Sequence, residues 1–312
     1  MEIDVKQRSK EWFQERKKVA LTASRFGEAL GVGRGRPFDF LCYLVNSESE
    51  DVQADEEESE EMANKKHGID TEAVIFEAYQ LLMGNNEAHQ IRESGFWVPR
   101  ESDMLKGLVG ATPDAVVTNK MGKTIGVCEF KAPIHNLFGY GEKWGRIPRY
   151  YMAQIQGQMY MAGVPWCDFM AVCTKTKEVL LKRVYYQPSY WMHISSCLSS
   201  FCHTLKEARE RKKLNKPVYD FEAARKLQTI PFQNNLFPNE GQIRIVNLLR
   251  RNPKGEYGVA ANPNCWLTYS FLMGVPYVVP AVLKRYSESL IEVIDSDIQK
   301  KKLRMSKDKA DE

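Results

Sequence analysis

Apolar positions along the first two thirds of this 312-residue chain follow two rhythms. Spacings of three and four mark helices over about 8–30, 38–46, 69–82, 149–162 and 188–214. In the third of these, Ile69, Ala73, Phe76 and Leu81 form a stripe that Val74 and Ile75 widen. Runs of β-branched and apolar residues bounded by Gly, Asn and Pro mark strands over about 94–100, 107–118, 124–131, 166–174 and 178–186. The turn Asn119-Lys120-Met121-Gly122 joins the second and third strands as a hairpin, and Lys175-Thr176-Lys177 joins the last two. This order predicts an α/β fold with a mixed central β-sheet flanked by helices. From Pro217 onward, prolines at 217, 231, 238, 253, 263, 276 and 280 break up short apolar segments. The most apolar of them, Trp266 to Leu283, is expected to pack on the core as a helix or strand. The reading therefore places one domain over 1–216 and an appended C-terminal subdomain over 217–312.

The hairpin carries the most chemistry. Residues 110–132 read GATPDAVVTNKMGKTIGVCEFKA. Side chains alternate across a strand, so Glu129 and Lys131 share one face and Phe130 takes the other. If Asp114 lies on the face of Glu129, two carboxylates and one ammonium converge. Carboxylates so close repel unless a cation joins them. Mg2+ suits that role, because it takes one or two carboxylates and leaves its remaining positions to water and phosphate. Lys131 would then orient or deprotonate a water, or stabilise charge developing on a phosphate. Hairpins also carry such residues merely solvated, but the apolar Gly126-Val127-Cys128 and the following Ala132-Pro133 favour burial, and buried charges need a partner or a task.

Pro113-Asp114 followed by Glu129-Phe130-Lys131 resembles the signature of the PD-(D/E)xK nuclease superfamily. Three further segments narrow the resemblance. Trp12 to Arg16 with Leu21 to Arg25 resembles the phosphate-binding helix and loop of the YqaJ-type viral recombinases, the phage lambda exonuclease family. His67 to Glu72 resembles that family's Gly-x-x-x-Glu helix, and Tyr151 to Gln156 its active-site helix. Taken alone, Glu72 would read as a solvated position on an amphipathic helix, and Gln154 and Gln158 as a polar helix face beside Tyr151. The resemblance spans about residues 8–215. It implies a restriction-endonuclease-like core and an Mg2+-dependent exonuclease, with Mn2+ able to substitute. Such an enzyme degrades linear double-stranded DNA from 5′ to 3′ into mononucleotides and leaves 3′ single-stranded tails. On this resemblance Asp114, Glu129 and the Phe130 carbonyl bind metal and Glu72 completes the acidic cluster. Lys131 activates or steers the nucleophile and Gln154 orients it. Arg16 and Ser24, near Thr112, hold a terminal 5′-phosphate, and Arg25, Tyr151 and Arg146 complete the DNA contacts. The resemblance further implies a ring-shaped homotrimer and a single-strand annealing protein as partner. Two departures bear on the phosphate pocket. One extra residue separates Arg16 from Ser24, so Lys17 or Lys18 is a candidate to share the role. No arginine occurs in Ile134-His135-Asn136-Leu137, which leaves Lys143, Arg146 or Arg149 as substitutes. The same hairpin would also serve an endonuclease of restriction or repair type, or a non-catalytic DNA-binding subunit.

Charge and composition change this picture little. The net charge of +4 is a mild bias, but an acidic run over 48–61 leaves the rest of the chain more basic; it reads as a solvated loop between helices. Gly31 to Gly35 lacks the lysine and preceding strand of a nucleotide-binding loop and reads as a connector. Lys300 to Lys309 reads as a solvated basic tail. No apolar stretch is long enough to span a membrane and Met1 to Lys18 is mostly polar, so an intracellular protein is expected, cytoplasmic or nuclear. Seven scattered cysteines, an odd number, suggest free thiols and no metal quartet.

Overall fold

Two adjacent strands hold the fold together, because each feeds a different core with alternate residues. In the computed structural model, which describes residues 1–33, 35–47, 60–84, 89–134, 137, 147–217 and 243–272, these strands are β7 (Thr124–Lys131) and β8 (Trp166–Cys173). Val127, Cys167, Phe169 and Ala171 enter one apolar cluster; Cys128, Phe130, Met170 and Val172 enter the other. A strand buried on both faces reads as a nearly continuous apolar run, as both of these do.

β7 and β8 lie parallel, with Glu129 opposite Phe169. Around them β6 (Ala115–Asn119), β3 (His89–Glu93), β9 (Glu178–Tyr185) and β10 (Ile245–Asn247) complete a six-stranded sheet ordered β10-β9-β8-β7-β6-β3. The other pairings are antiparallel, so the sheet is mixed. On one face pack α2 (Phe26–Ala29), α3 (Pro37–Ser47), α5 (Arg149–Ala162) and α6 (Pro188–Lys213). On the other lies α4 (Glu60–Met83), through Ile75, Ala78, Tyr79 and Leu82, together with a small sheet of β11 (Leu249–Arg251), β12 (Tyr257–Val259) and β13 (Asn262–Leu267) and a final helical turn, Tyr269–Leu272. This is the α/β arrangement the sequence predicts. Among the described residues no helix is long and apolar enough to cross a membrane.

The boundaries differ in instructive ways. The expected helix over 8–30 is broken into α1 (Lys10–Lys17), β2 (Leu21–Thr22), a 3-10 turn (Ala23–Arg25) and α2. Leu21 and Thr22 pair in parallel with Val109 and Gly110 of β5 (Val109–Gly110), and that tertiary pairing overrides the helical rhythm. The strand expected over 94–100 is a two-residue β4 (Phe96–Trp97), paired with β1 (Glu2–Ile3), while the edge strand β3 precedes it. Four of the five residues of β3 are exposed, so its sequence shows no apolar run to read. The strand expected over 107–118 is interrupted between β5 and β6 at Ala111–Asp114, where Pro113 has no N–H to give to a ladder.

The chain divides into two units, Met1–Met273 and Gly274–Glu312. β10 belongs to the central sheet and β13 packs against α4, so residues 243–272 of the segment read as an appendage form part of the first unit. Most of the acidic run, Arg146, the remainder of the Trp266–Leu283 segment and the lysine-rich tail lie outside the described residues.

Gly157 shows how tightly α5 is seated. A Cβ there would stand 2.6 Å from the Phe26 ring and 3.1 Å from Trp191. Gly157→Ala should therefore destabilise the protein, because overpacking costs about 1–3 kcal/mol against a helix-propensity gain of at most ~1 kcal/mol. A fall in Tm of several degrees by calorimetry is the expected result.

Candidate active site

The Pro113 interruption decides where Asp114 goes. Its backbone N–H still reaches the Cys128 carbonyl at 3.0 Å, but its side chain turns across the hairpin, and Oδ2 accepts from the Phe130 N–H at 2.5 Å. The loop closing the hairpin is fixed by Asn119, whose Oδ1 accepts from the N–H groups of Met121 and Lys123 at 3.0 Å each, and by Gly122 at φ +73°.

Glu129 is 1% exposed and is held from three sides. Lys131 Nζ donates to its Oε1, as does Gln154 Nε2 at 2.6 Å, while Gln158 Nε2 donates to its Oε2 at 2.6 Å. Lys131 Nζ also donates to the Phe130 carbonyl at 2.9 Å and lies 5.2 Å from the centre of the Tyr151 ring. Tyr151, Gln154 and Gln158 stand three and four residues apart on α5, so one helix face presents them together. The sequence placed Gln158 beside Gln154 but gave it no part in the site. Its signal is the i, i+4 repeat of a buried amide opposite a strand glutamate. Its Oε1 is buried and has no hydrogen-bond partner among the described residues. Gln154, expected to orient the nucleophile, has its amide N–H engaged by Glu129 here.

The electrostatics follow from this crowding. Burial, then the charge of Glu129 and, more weakly, Glu72, push the Asp114 carboxyl well above its ordinary range, against the Lys131 ammonium and the Phe130 N–H. Burial alone would lower Lys131, but Glu129 and then Asp114 outweigh it, and the ammonium is held above its ordinary value.

Glu72 is placed by α4 at the rim and not within the cluster. Its Oε2 accepts from Arg8 Nη2 at 2.7 Å, and its side chain keeps 27% of its surface exposed. Among the described residues no three acidic, histidine or cysteine side chains are gathered at metal-ligating distance. What the site offers is the Asp114–Glu129 pair beside the Phe130 carbonyl. Two carboxylates and a carbonyl oxygen are hard donors that fit Mg2+ or Mn2+, since such ions need only one or two carboxylates from the protein.

A second cluster lies on α1 and the turn after it. Ser9 caps α1, its Oγ accepting from the Trp12 N–H at 3.2 Å. The Arg16 guanidinium stacks 4.3 Å from the Trp12 ring and donates to Thr22 Oγ1 at 3.3 Å; the Thr22 and Ser24 hydroxyls are 3.2 Å apart. Trp12 Nε1 donates to Thr112 Oγ1 at 3.1 Å, which ties this group to the segment between β5 and β6 that leads to Asp114. Arg16, Ser24 and Thr112 are thus linked through Trp12 and Thr22. Arg25 is directed elsewhere, pairing with Glu28 at 2.9 Å and lying 4.6 Å from the Phe40 ring.

Residues 11–165 match the profile of the YqaJ-like viral recombinase domain. Two solved structures share the fold. An alkaline exonuclease from Laribacter hongkongensis superposes with a TM-score of 0.52 at 21% identity, covering 66% of this chain and 97% of that one. The same enzyme in complex with dAMP gives 0.51 at 22%, covering 66% and 98%. No curated protein sequence gives a match.

Proposed function

We propose, because residues 11–165 match the YqaJ-like viral recombinase domain, that this protein is a metal-dependent deoxyribonuclease that digests linear double-stranded DNA from its 5′ ends. The observation that carries the reading is the convergence of Asp114, Glu129 and Lys131 at one hairpin end, with Glu129 held by two α5 amides. A buried Glu129 beside a half-buried Asp114 that repels it is a poor structural choice and a useful hydrolytic one. The shared fold of an alkaline exonuclease supports it further.

In this reading Asp114, Glu129 and the Phe130 carbonyl hold Mg2+, or Mn2+ in its place. When bound, the cation supplies Lewis-acid polarisation of the scissile phosphate and lowers the pKa of water. The chain's own residues supply the rest. Gln154 and Gln158 lock the Glu129 carboxylate in one orientation. The Lys131 ammonium, charged at working pH, steers the attacking water by hydrogen bonding and stabilises the negative charge that builds on the phosphoryl oxygens. Water attacks the phosphorus of the second nucleotide and breaks its bond to the 3′-oxygen of the outgoing terminal nucleotide. That oxygen takes up a proton and leaves as the 3′-hydroxyl of a 5′-mononucleotide, and the shortened strand keeps a new 5′-phosphate. The guanidinium of Arg16, with the hydroxyls of Thr22, Ser24 and Thr112, grips the terminal 5′-phosphate and sets the register for a cut one nucleotide in. Glu72 contributes from the rim. A homotrimer around the duplex and a single-strand annealing protein on the 3′ tails are the partners this reading implies.

The test uses linear duplexes labelled at each end and strand, carrying 5′-phosphate or 5′-hydroxyl. Mg2+-dependent shortening from 5′-phosphorylated ends, abolished by chelator, is the expected result. Arg16→Ala should keep hydrolysis but lose about 10-fold or more of the 5′-phosphate preference, in line with a charge-assisted hydrogen bond of roughly 1.5–3 kcal/mol. Cutting of circular DNA would reassign the site to an endonuclease, and absence of cleavage with DNA bound would make it a binding subunit.

A further inference from the structure

Arg8 has no part in the site as described so far, yet three observations single it out. Its backbone is left-handed, at φ 65°, where residues with a side chain are uncommon. The turn around it is fastened on both sides. Gln7 Nε2 donates to the Ser94 carbonyl at 3.1 Å and the Pro113 carbonyl at 3.0 Å, one residue before Asp114, while Ser9 caps the helix that carries Arg16. Held there, Arg8 Nη2 donates to Glu72 Oε2 at 2.7 Å, while 48% of the Arg8 side chain stays exposed.

Glycine would take this backbone without strain. A long cation in its place needs a reason, and the ion pair alone is a weak one. A half-exposed pair of this kind contributes little to stability, and a carboxylate as open as Glu72 is adequately solvated. A residue held in a strained conformation by its neighbours, at the rim of a charged site, is more often placed for a ligand. The ligand class follows from the group. A guanidinium offers five N–H donors in a planar fork suited to phosphate oxygens, and among the described residues only its bond to Glu72 is made. The turn is also fastened to the residue before Asp114 and to the start of the helix that carries Arg16, so it adjoins both elements that the proposed DNA strand would engage.

Building on the nuclease reading above, we infer that Arg8 binds a backbone phosphate of the DNA strand. Glu72 is its counter-ion in the free protein and competes with that phosphate. The pair keeps the guanidinium poised at the rim, and arrival of DNA exchanges one anionic partner for another.

The experiment is equilibrium binding of the full chain to a fluorescent 5′-phosphorylated duplex in chelator, where no cutting occurs, over a series of salt concentrations. Arg8→Gly removes the cation and relieves the backbone, so folding is not at risk. It should bind several-fold more weakly, and the slope of log K against log salt should become shallower by roughly 1, the loss of one phosphate contact. Glu72→Gln frees the guanidinium and should tighten binding about threefold or more, and by clearly less when Arg8 is already glycine. Wild-type affinity and slope in Arg8→Gly would overturn the inference. So would equal tightening by Glu72→Gln in both backgrounds, which would mark simple relief of repulsion. If the wild type cleaves DNA with Mg2+ while Arg8→Gly binds normally, only this inference falls. If the wild type neither binds nor cleaves, the nuclease reading falls with it.

Discussion

Lys131→Ala is expected to slow phosphodiester hydrolysis by about 10^2- to 10^4-fold, the range for removing a positioned proton-transfer or charge-stabilising group. The ammonium touches Glu129 and the Phe130 carbonyl and faces the Tyr151 ring, so its loss removes a cation that balances two carboxylates in this cluster. Its charge state limits what it can do. Burial works against the charged form, but Glu129 and Asp114 overcome burial and raise the Lys131 pKa. A raised folded value means that the stabilisation is fully present below the unfolded pKa, ordinarily about 10.4, and is lost only as pH rises through the folded value. Across the neutral and mildly alkaline range Lys131 therefore stays protonated. A charged Lys131 suits the proposed steering and charge-stabilising role. Lys131→Arg, which keeps the charge, should retain more activity than Lys131→Ala. The check is single-turnover digestion of a 5′-phosphorylated duplex, paired with calorimetric titration of Mn2+. Cation binding should survive in both variants while turnover falls. Activity of Lys131→Ala within tenfold of wild type would remove Lys131 from the mechanism.

How much of this site could be read from the sequence depended on what kind of environment each segment enters. β7 and α5 have the expected limits, because both are bounded by strong punctuation. Gly122 precedes β7, and Gly163 ends α5 in the left-handed conformation at φ 67°. The convergence of Asp114, Glu129 and Lys131 was legible because period-two alternation and one turn fix it locally. Long-range partners were not. Nothing near Glu72 in sequence announces that Arg8 will meet it across 64 residues. Asp168 is another case. It is fully buried, bound by Arg183 at 2.7 and 2.8 Å and by the Tyr79 hydroxyl at 2.6 Å, and it ties α4 to the sheet. The Lys175–Lys177 turn sets the register that places Asp168 opposite Arg183, so this pair was readable in principle as opposite charges in facing apolar strands. Tyr79 was not, since only the packing of α4 brings it there. The split of the segment over 8–30 and the polar edge strand β3 were lost for a related reason: pairing with a distant strand, and exposure at an edge, outweigh local rhythm.

Asp114→Asn should abolish activity, by about 10^3-fold or more if the carboxylate holds the cation, and yet make the cation-free protein more stable. Burial first, and then the charges of Glu129 and Glu72, raise the Asp114 carboxyl well above its ordinary range. Between the unfolded pKa and that raised folded value, the native protein binds more protons than the unfolded chain. Stability therefore falls as pH rises through this window, and above the folded value the full cost of the half-buried, repelled carboxylate is present. Asparagine carries no such proton. Its Oδ1 can still accept from the Phe130 N–H, and its amide can donate towards Glu129, so the substitution keeps the shape and removes the repulsion. In chelator the advantage of Asp114→Asn should grow with pH through the window and then level off. Added Ca2+ or Mg2+ should reverse the order, since a ligand that binds only the native state stabilises it in proportion to RT ln(1 + [L]/Kd), and the variant binds it poorly. Melting temperatures of both proteins from about pH 5 to 9, with chelator and with Ca2+, decide the matter. Parallel pH profiles, or a variant less stable than wild type in chelator at alkaline pH, would mean that Asp114 is comfortably accommodated and that the site is not strained in waiting for a cation. A crossing of the two curves on adding Ca2+ would show that the same repulsion that weakens the empty fold is what the cation relieves when it binds.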